Sequence, residues 1–203
     1  MKKILFILLV TVVTSVKAQR IVPVFGLEGG GLAGGLTGLN GYNSQIWGNG
    51  SFWIDFVGTN RNGNPTVGFK IKLNYNYYEM NDNGNGGGNI TVAETTIPVL
   101  FKVCLASSTQ YSTQNEGGET KVYSLKRDLF LFAGPQVGFP SISGGSFKTA
   151  QKTDYSAVAG GEIYLNNTVY FALYRQTGLS TIFPSQPNVR LTGFTAAFGF
   201  RLL

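Results

Sequence analysis

From Val67 to Tyr77 the chain alternates without a break. Val67, Phe69, Ile71, Leu73, Tyr75 and Tyr77 share one parity; Gly68, Lys70, Lys72, Asn74 and Asn76 share the other. Successive side chains of a strand point to opposite faces, so this segment has a wholly apolar face and a polar, charged one. About eight segments of this kind recur, and such a series suits a closed barrel that turns its apolar side to lipid. No apolar stretch of eighteen or more residues follows the first twenty positions, so any membrane passage is made by strands. The chain reads as all-β, an eight-stranded antiparallel up-and-down transmembrane β-barrel. Its 28 glycines, 15 phenylalanines and 10 tyrosines fit that class and leave little room for helix.

The N-terminus carries Lys2 and Lys3, an apolar run from Ile4 to Val13, and Val16-Lys17-Ala18 before Gln19. This pattern predicts a cleavable signal peptide over 1–18 and a single barrel domain over 19–203. The apolar run is half the length that a spanning helix needs, and Gln19 stands where a lipoprotein has its acylated cysteine. Losing Lys2, Lys3 and Lys17 leaves 13 basic against 10 acidic residues, too small and too dispersed an excess for a nucleic-acid footprint. The implied location is the outer membrane of a Gram-negative bacterium.

Eight strands are expected, near 24–36, 51–57, 67–77, 90–105, 129–139, 155–165, 168–177 and 194–202. Asn166-Asn167 and the cluster from Asn60 to Pro65 are tight turns, whereas 37–50, 82–89, 140–154 and 178–188 are longer and rich in Gly, Ser, Asn and Pro. Short and long connections alternate, with long loops outside and short turns on the periplasmic side. The connection from Ser107 to Asp128 breaks the alternation. Either it extends a hairpin into a β-tongue below the membrane, or the strand count is off by one.

Parity assigns Glu28, Asp55, Glu94, Glu162, Lys70, Lys72, Lys102, Arg175 and Arg201 to the interior. An eight-stranded interior is just wide enough for side chains to fill, and buried charges persist when paired and hydrogen-bonded. These nine form an expected lumen charge network that closes the barrel. Tyr75, Tyr77, Tyr170, Tyr174 and Phe200, with Trp47, are expected at strand ends as the aromatic girdle, where rings with one wet edge suit the headgroup zone.

Enzymatic chemistry has little to work with. With no histidine, Ser-His-acid triads, histidine general bases and histidine metal ligands are all excluded. No carboxylate pair or Ser-Lys arrangement stands at a recognisable spacing. Gly29, Gly31 and Gly34 match a dinucleotide fingerprint by accident, because no helix follows. Glycine there suits bulges or aromatic rings laid flat against a curved wall. Cys104 stands alone and forms no internal disulfide. Asp82, Asn83, Asn85 and Asn89 crowd one loop, but their spacing fits no calcium motif. No cofactor and no metal is expected.

Four segments carry a family resemblance: Ile97-Pro98-Val99-Leu100-Phe101-Lys102, Phe132-Ala133-Gly134-Pro135-Gln136-Val137-Gly138, Tyr174-Arg175-Gln176-Thr177-Gly178-Leu179 and Phe198-Gly199-Phe200-Arg201-Leu202. In this order they resemble successive strands of the PorT-like outer-membrane β-barrel proteins of Bacteroidota. The resemblance implies an eight-stranded, OmpA-type barrel without the peptidoglycan-binding domain. Some relatives in that family take part in a protein secretion system, and most have no assigned activity. The long Ser107 to Asp128 connection departs from the family's compact turn.

The resulting expectation is a non-enzymatic structural or interaction barrel, accessory to a secretion or uptake machine. Its partners are outer-membrane lipid and other envelope proteins reached through the loops or the Ser107 to Asp128 connection. A narrow pore is one alternative. A soluble calycin-like barrel with an apolar, ligand-binding interior is the other.

Overall fold

The computed structural model describes residues 20–39, 42–60, 62–82, 88–116, 119–144, 152–183 and 188–202. The expected leader and most of the Asn-rich loop near Asp82 lie outside them. The strands are β1 (Arg20–Thr37), β2 (Tyr42–Ser44), β3 (Ile46–Thr59), β4 (Pro65–Asp82), β5 (Ile90–Glu116), β6 (Glu119–Gly144), β7 (Asp154–Tyr164), β8 (Val169–Gly178) and β9 (Arg190–Arg201). β2 and β3 are separated by Gln45 and both pair with β4, so they act as one stave. Each stave is antiparallel to its neighbour in sequence, β4 joins β5, and β1 closes on β9. The fold is therefore the closed, eight-stave, all-β barrel that the alternation predicts.

Local chemistry shapes the short turns. Asn60 Oδ1 accepts from the N–H groups of Asn62 and Asn64, while Gly63 takes a φ of +76°. Asn166 Oδ1 accepts from Thr168 and Val169 N–H groups. At this same end, β5 and β6 run past the barrel as a hairpin whose register continues from Ser107↔Asp128 to Glu116↔Glu119. Ten residue pairs at about 3.4 Å per residue make a tongue roughly 30 Å long. It is the hairpin extension read from sequence, and the count of eight stands.

Along β4 the inward side chains run from the short-turn end to the long-loop end as Lys70, Lys72, Asn74, Asn76, Tyr78 and Met80, all buried. That order gives the interior its layers. A cationic layer comes first, then amides, then an apolar cluster across the long-loop mouth in which Met80 meets Leu36, Ile90, Ile182, Phe183 and Leu191. Ile182 and Phe183 belong to the β8–β9 connection, which folds inward although its composition reads as an open loop.

The opposite parity is turned outward and left bare. Leu73 is 52% exposed, Leu131 50% and Phe198 54%, and every stave presents at least one large exposed apolar residue. β6, apolar on both parities, resolves with Phe130 and Phe132 inward and Leu129 and Leu131 outward. Two glycines make room for rings on the curved inner wall. A Cβ on Gly199 would lie 2.0 Å from the Tyr170 ring, and one on Gly26 would lie 2.1 Å from the Trp53 ring.

Candidate functional site

The inward face of five staves converges on a cluster of three lysines and three carboxylates. Lys102 Nζ donates to Asp55 Oδ2 at 2.5 Å and also pairs with Glu162. Lys70 Nζ reaches Glu162 Oε2 at 2.5 Å and lies 3.8 Å from Asp55 Oδ2. Lys72 Nζ donates to Glu28 Oε1 at 2.5 Å. All six side chains are at most 3% exposed, so their charges interact in a medium far less screening than water.

Aromatic side chains complete the cluster. The Tyr170 hydroxyl donates to Glu28 Oε2 at 2.7 Å, and Tyr174 donates to Glu28 Oε1 at 3.2 Å. Asn49 Nδ2 in turn donates to the Tyr174 hydroxyl at 2.8 Å. Each ammonium also lies over at least one ring: Lys70 over Trp53 and Tyr170 at 4.6 Å, Lys72 over Tyr174 at 4.5 Å, Lys102 over Phe130 at 4.3 Å. The Arg201 guanidinium sits 4.0 Å over Tyr164, below the lysines. A cation between a carboxylate and a π-face gains from both, and the ring excludes the water that would compete.

Placed in this frame, the residues expected in the lumen divide into three groups. Glu28, Asp55, Lys70, Lys72, Lys102 and Glu162 are brought together, with Arg201 beneath them. Glu94 points inward but lies apart, its Oε2 accepting from Asn76 Nδ2 at 3.4 Å and Gln176 Nε2 at 3.3 Å. Arg175 is a correction: it is exposed on the outer wall, opposite Ala159 and Phe194.

The same parity error runs through the girdle. Tyr170 and Tyr174 are 0% and 6% exposed and stand inside the barrel, not on its outer wall. Reading Arg175 as inward forced them outward. Phe171 and Leu173 share a parity with Arg175, and Gln176 shares one with the two tyrosines. That comparison was the available signal. Tyr75 and Phe200 are exposed on the outer wall at 55% and 50%, and Tyr77 is half-buried against the Trp47 ring at 5.3 Å. The sequence reading also missed Phe130, Tyr164 and Asp154, the last placed in a loop but fully buried at the start of β7.

Nothing in the cluster pairs a nucleophile with a free base. Its ammonium and carboxylate groups are consumed by one another, and they join β1, β3, β4, β5 and β7 across the interior.

No protein-family model matches the chain, and no curated protein matches it. Among solved structures, the outer membrane protein OprG from Pseudomonas aeruginosa superposes with a TM-score of 0.47 at 10% identity, over 90% of this chain and 97% of that one. Neisserial surface protein A gives 0.44 at 12% identity, over 88% and 97%. Ail, the attachment invasion locus protein of Yersinia pestis, gives 0.43 at 9% identity, over 88% and 98%.

Proposed function

We propose that this chain is an integral outer-membrane barrel of a Gram-negative bacterium, exported behind a leader cleaved after Ala18. It works without catalysis, as a structural or interaction component whose lumen is closed to ions. The observation that carries this reading is the inversion of polarity: large apolar side chains are exposed on every stave, while lysines and carboxylates are buried inside. A water-soluble monomer rarely exposes more than a few hundred Å² of contiguous apolar surface, whereas a lipid-facing wall requires it. In this orientation the long loops face outside and the β5–β6 tongue enters the periplasm.

Closure rests on the layering along β4. Ions entering from outside meet the apolar cluster at the mouth, and beyond it fixed charges already satisfied by one another. A calycin-like carrier needs the opposite, an apolar interior under a polar surface. The PorT-like resemblance in β5, β6, β8 and β9 supports a place beside a secretion or uptake machine, with the tongue as the element that meets it.

Membrane fractionation tests the location. The chain is expected in the detergent-requiring outer-membrane fraction, and recovery as a folded monomer in soluble periplasm would sink the reading. Planar-bilayer recording tests closure, and steady unitary conductance would show that the lumen is open.

A further inference from the structure

The three lysines of the interior are matched by Glu28, Asp55 and Glu162. Two further carboxylates, Glu94 and Asp154, are 0% exposed and lie in the layer between this cluster and the apolar mouth. No lysine or arginine among the described residues pairs with either. Two carboxylates buried without a counter-charge must either take up a proton or meet a cation.

Register brings the two together. Gly138 on β6 stands opposite Thr96 on one side and Asp154 on the other. A Cβ on Gly138 would lie 2.2 Å from Glu94 Oε1, so that oxygen rests directly over the glycine that pairs with Asp154. The other oxygens are occupied. Glu94 Oε2 accepts from the Asn76 and Gln176 amides, and Asp154 Oδ1 accepts from the Ser180 hydroxyl at 2.6 Å. Glu94 Oε1, Asp154 Oδ2 and the Tyr78 hydroxyl, itself buried and within the field of both carboxylates, have no hydrogen-bond partner.

We propose that Glu94, Asp154 and Tyr78 form a binding site for a hard divalent cation of the calcium type. Two carboxylates leave a charge of −2 that a divalent ion cancels. Oxygen donors of mixed charge on three different staves suit calcium's loose geometry better than the strict octahedron of magnesium. Among the described residues no third acidic side chain joins Glu94 and Asp154 as a metal ligand, so water completes the shell. Ser180, from the same connection that sends Ile182 and Phe183 into the mouth, holds Asp154 in place and links the ion to the closed loop.

The test is retention of radioactive calcium by the full mature chain, refolded into detergent with the metal present and then gel-filtered. About one equivalent is expected. Glu94→Gln and Asp154→Asn are each expected to lower affinity at least tenfold, with folding checked by the heat-dependent shift in gel mobility. A measurement that needs no carboxylate variant accompanies it: terbium bound at the site is sensitised by tyrosine, and Tyr78→Phe is expected to remove most of that emission. Failure of the wild-type chain to retain calcium overturns the proposal, as does equal retention by both carboxylate variants. If heat resistance is indifferent to calcium and falls only as pH rises, the carboxylates share a proton and there is no cation site. None of these outcomes bears on whether the barrel resides in a membrane.

Discussion

Replacing Lys102 with methionine removes one buried cation while nearly preserving the volume of its stem. In the wild-type chain Lys102 stands between Asp55 and Glu162, all of them at most 1% exposed. After the change, Lys70 alone faces both carboxylates, at 3.8 Å from Asp55 and 2.5 Å from Glu162. Breaking a buried pair by deleting one partner costs about 3–5 kcal/mol, chiefly through the charge left behind. At about 1.4 kcal/mol per factor of ten, the folding equilibrium falls by roughly two to three and a half powers of ten. The assay is reversible urea unfolding in lipid vesicles, followed by tryptophan emission and gel mobility. Glu162→Gln in the Lys102→Met background restores the charge balance, leaving Lys70 to Asp55 and Lys72 to Glu28. The double variant is expected to recover more than half of the loss. A Lys102→Met loss below about 1 kcal/mol, or a double variant less stable than the single, would refute the claim that neutrality, and not the individual contact, holds the cluster.

Three further changes probe separate parts of the molecule. Tyr170→Phe removes the 2.7 Å hydrogen bond to Glu28 and is expected to cost about 1.5–3 kcal/mol, as for a hydrogen bond to a charged group, in the same unfolding assay. Arg175→Leu replaces a cation on the outer wall and is expected to stabilise the barrel in vesicles by about 1–3 kcal/mol, a lipid-depth-dependent gain that a lumenal Arg175 would not give. Deleting Ser108 to Lys126 removes tongue pairs that no barrel stave shares. Folding and gel mobility are expected to survive, while proteins recovered after mild detergent extraction are lost; an unchanged set would rule out the tongue as the docking element.

The strand count, the closure and most of the facing were legible because a period of two is written strongly wherever one parity is uniformly apolar, as from Val67 to Tyr77. The reading failed on β8 for a physical reason. Tyr170, Ala172 and Tyr174 face the lumen, yet a tyrosine that lies under a lysine and donates to Glu28 has the same letter as one at a headgroup. Only Gln176 on their parity betrayed the interior, and it was outweighed by the charge of Arg175. The mouth was hidden differently. Ile182 and Phe183 sit among Ser, Pro and Gln, so composition gives an open loop, and only the neighbouring barrel rim supplies the apolar surface that draws them in. Asp154 was lost to a strand boundary, since the Lys152-Thr153 pair before it reads as loop.

The ion cluster and the apolar outer wall enforce the same register from opposite sides. Slipping any stave by one residue exchanges its faces. A slip of β4 would send Lys70 and Lys72 outward and bring Ile71 and Leu73 inward, abandoning Glu162 and Glu28 in the interior. A slip of β7 would do the same to Glu162, and a slip of β8 would take the Tyr170 and Tyr174 rings away from the lysines they cover. The penalties fall on both surfaces at once, so neighbouring staves cannot compensate for one another. Buried ion pairs add little net stability over a well-packed apolar core. Their contribution here is specificity: in a chain with 28 glycines, whose bare strands slide easily, the three lysines select the alignment in which Glu28, Asp55 and Glu162 each meet an ammonium.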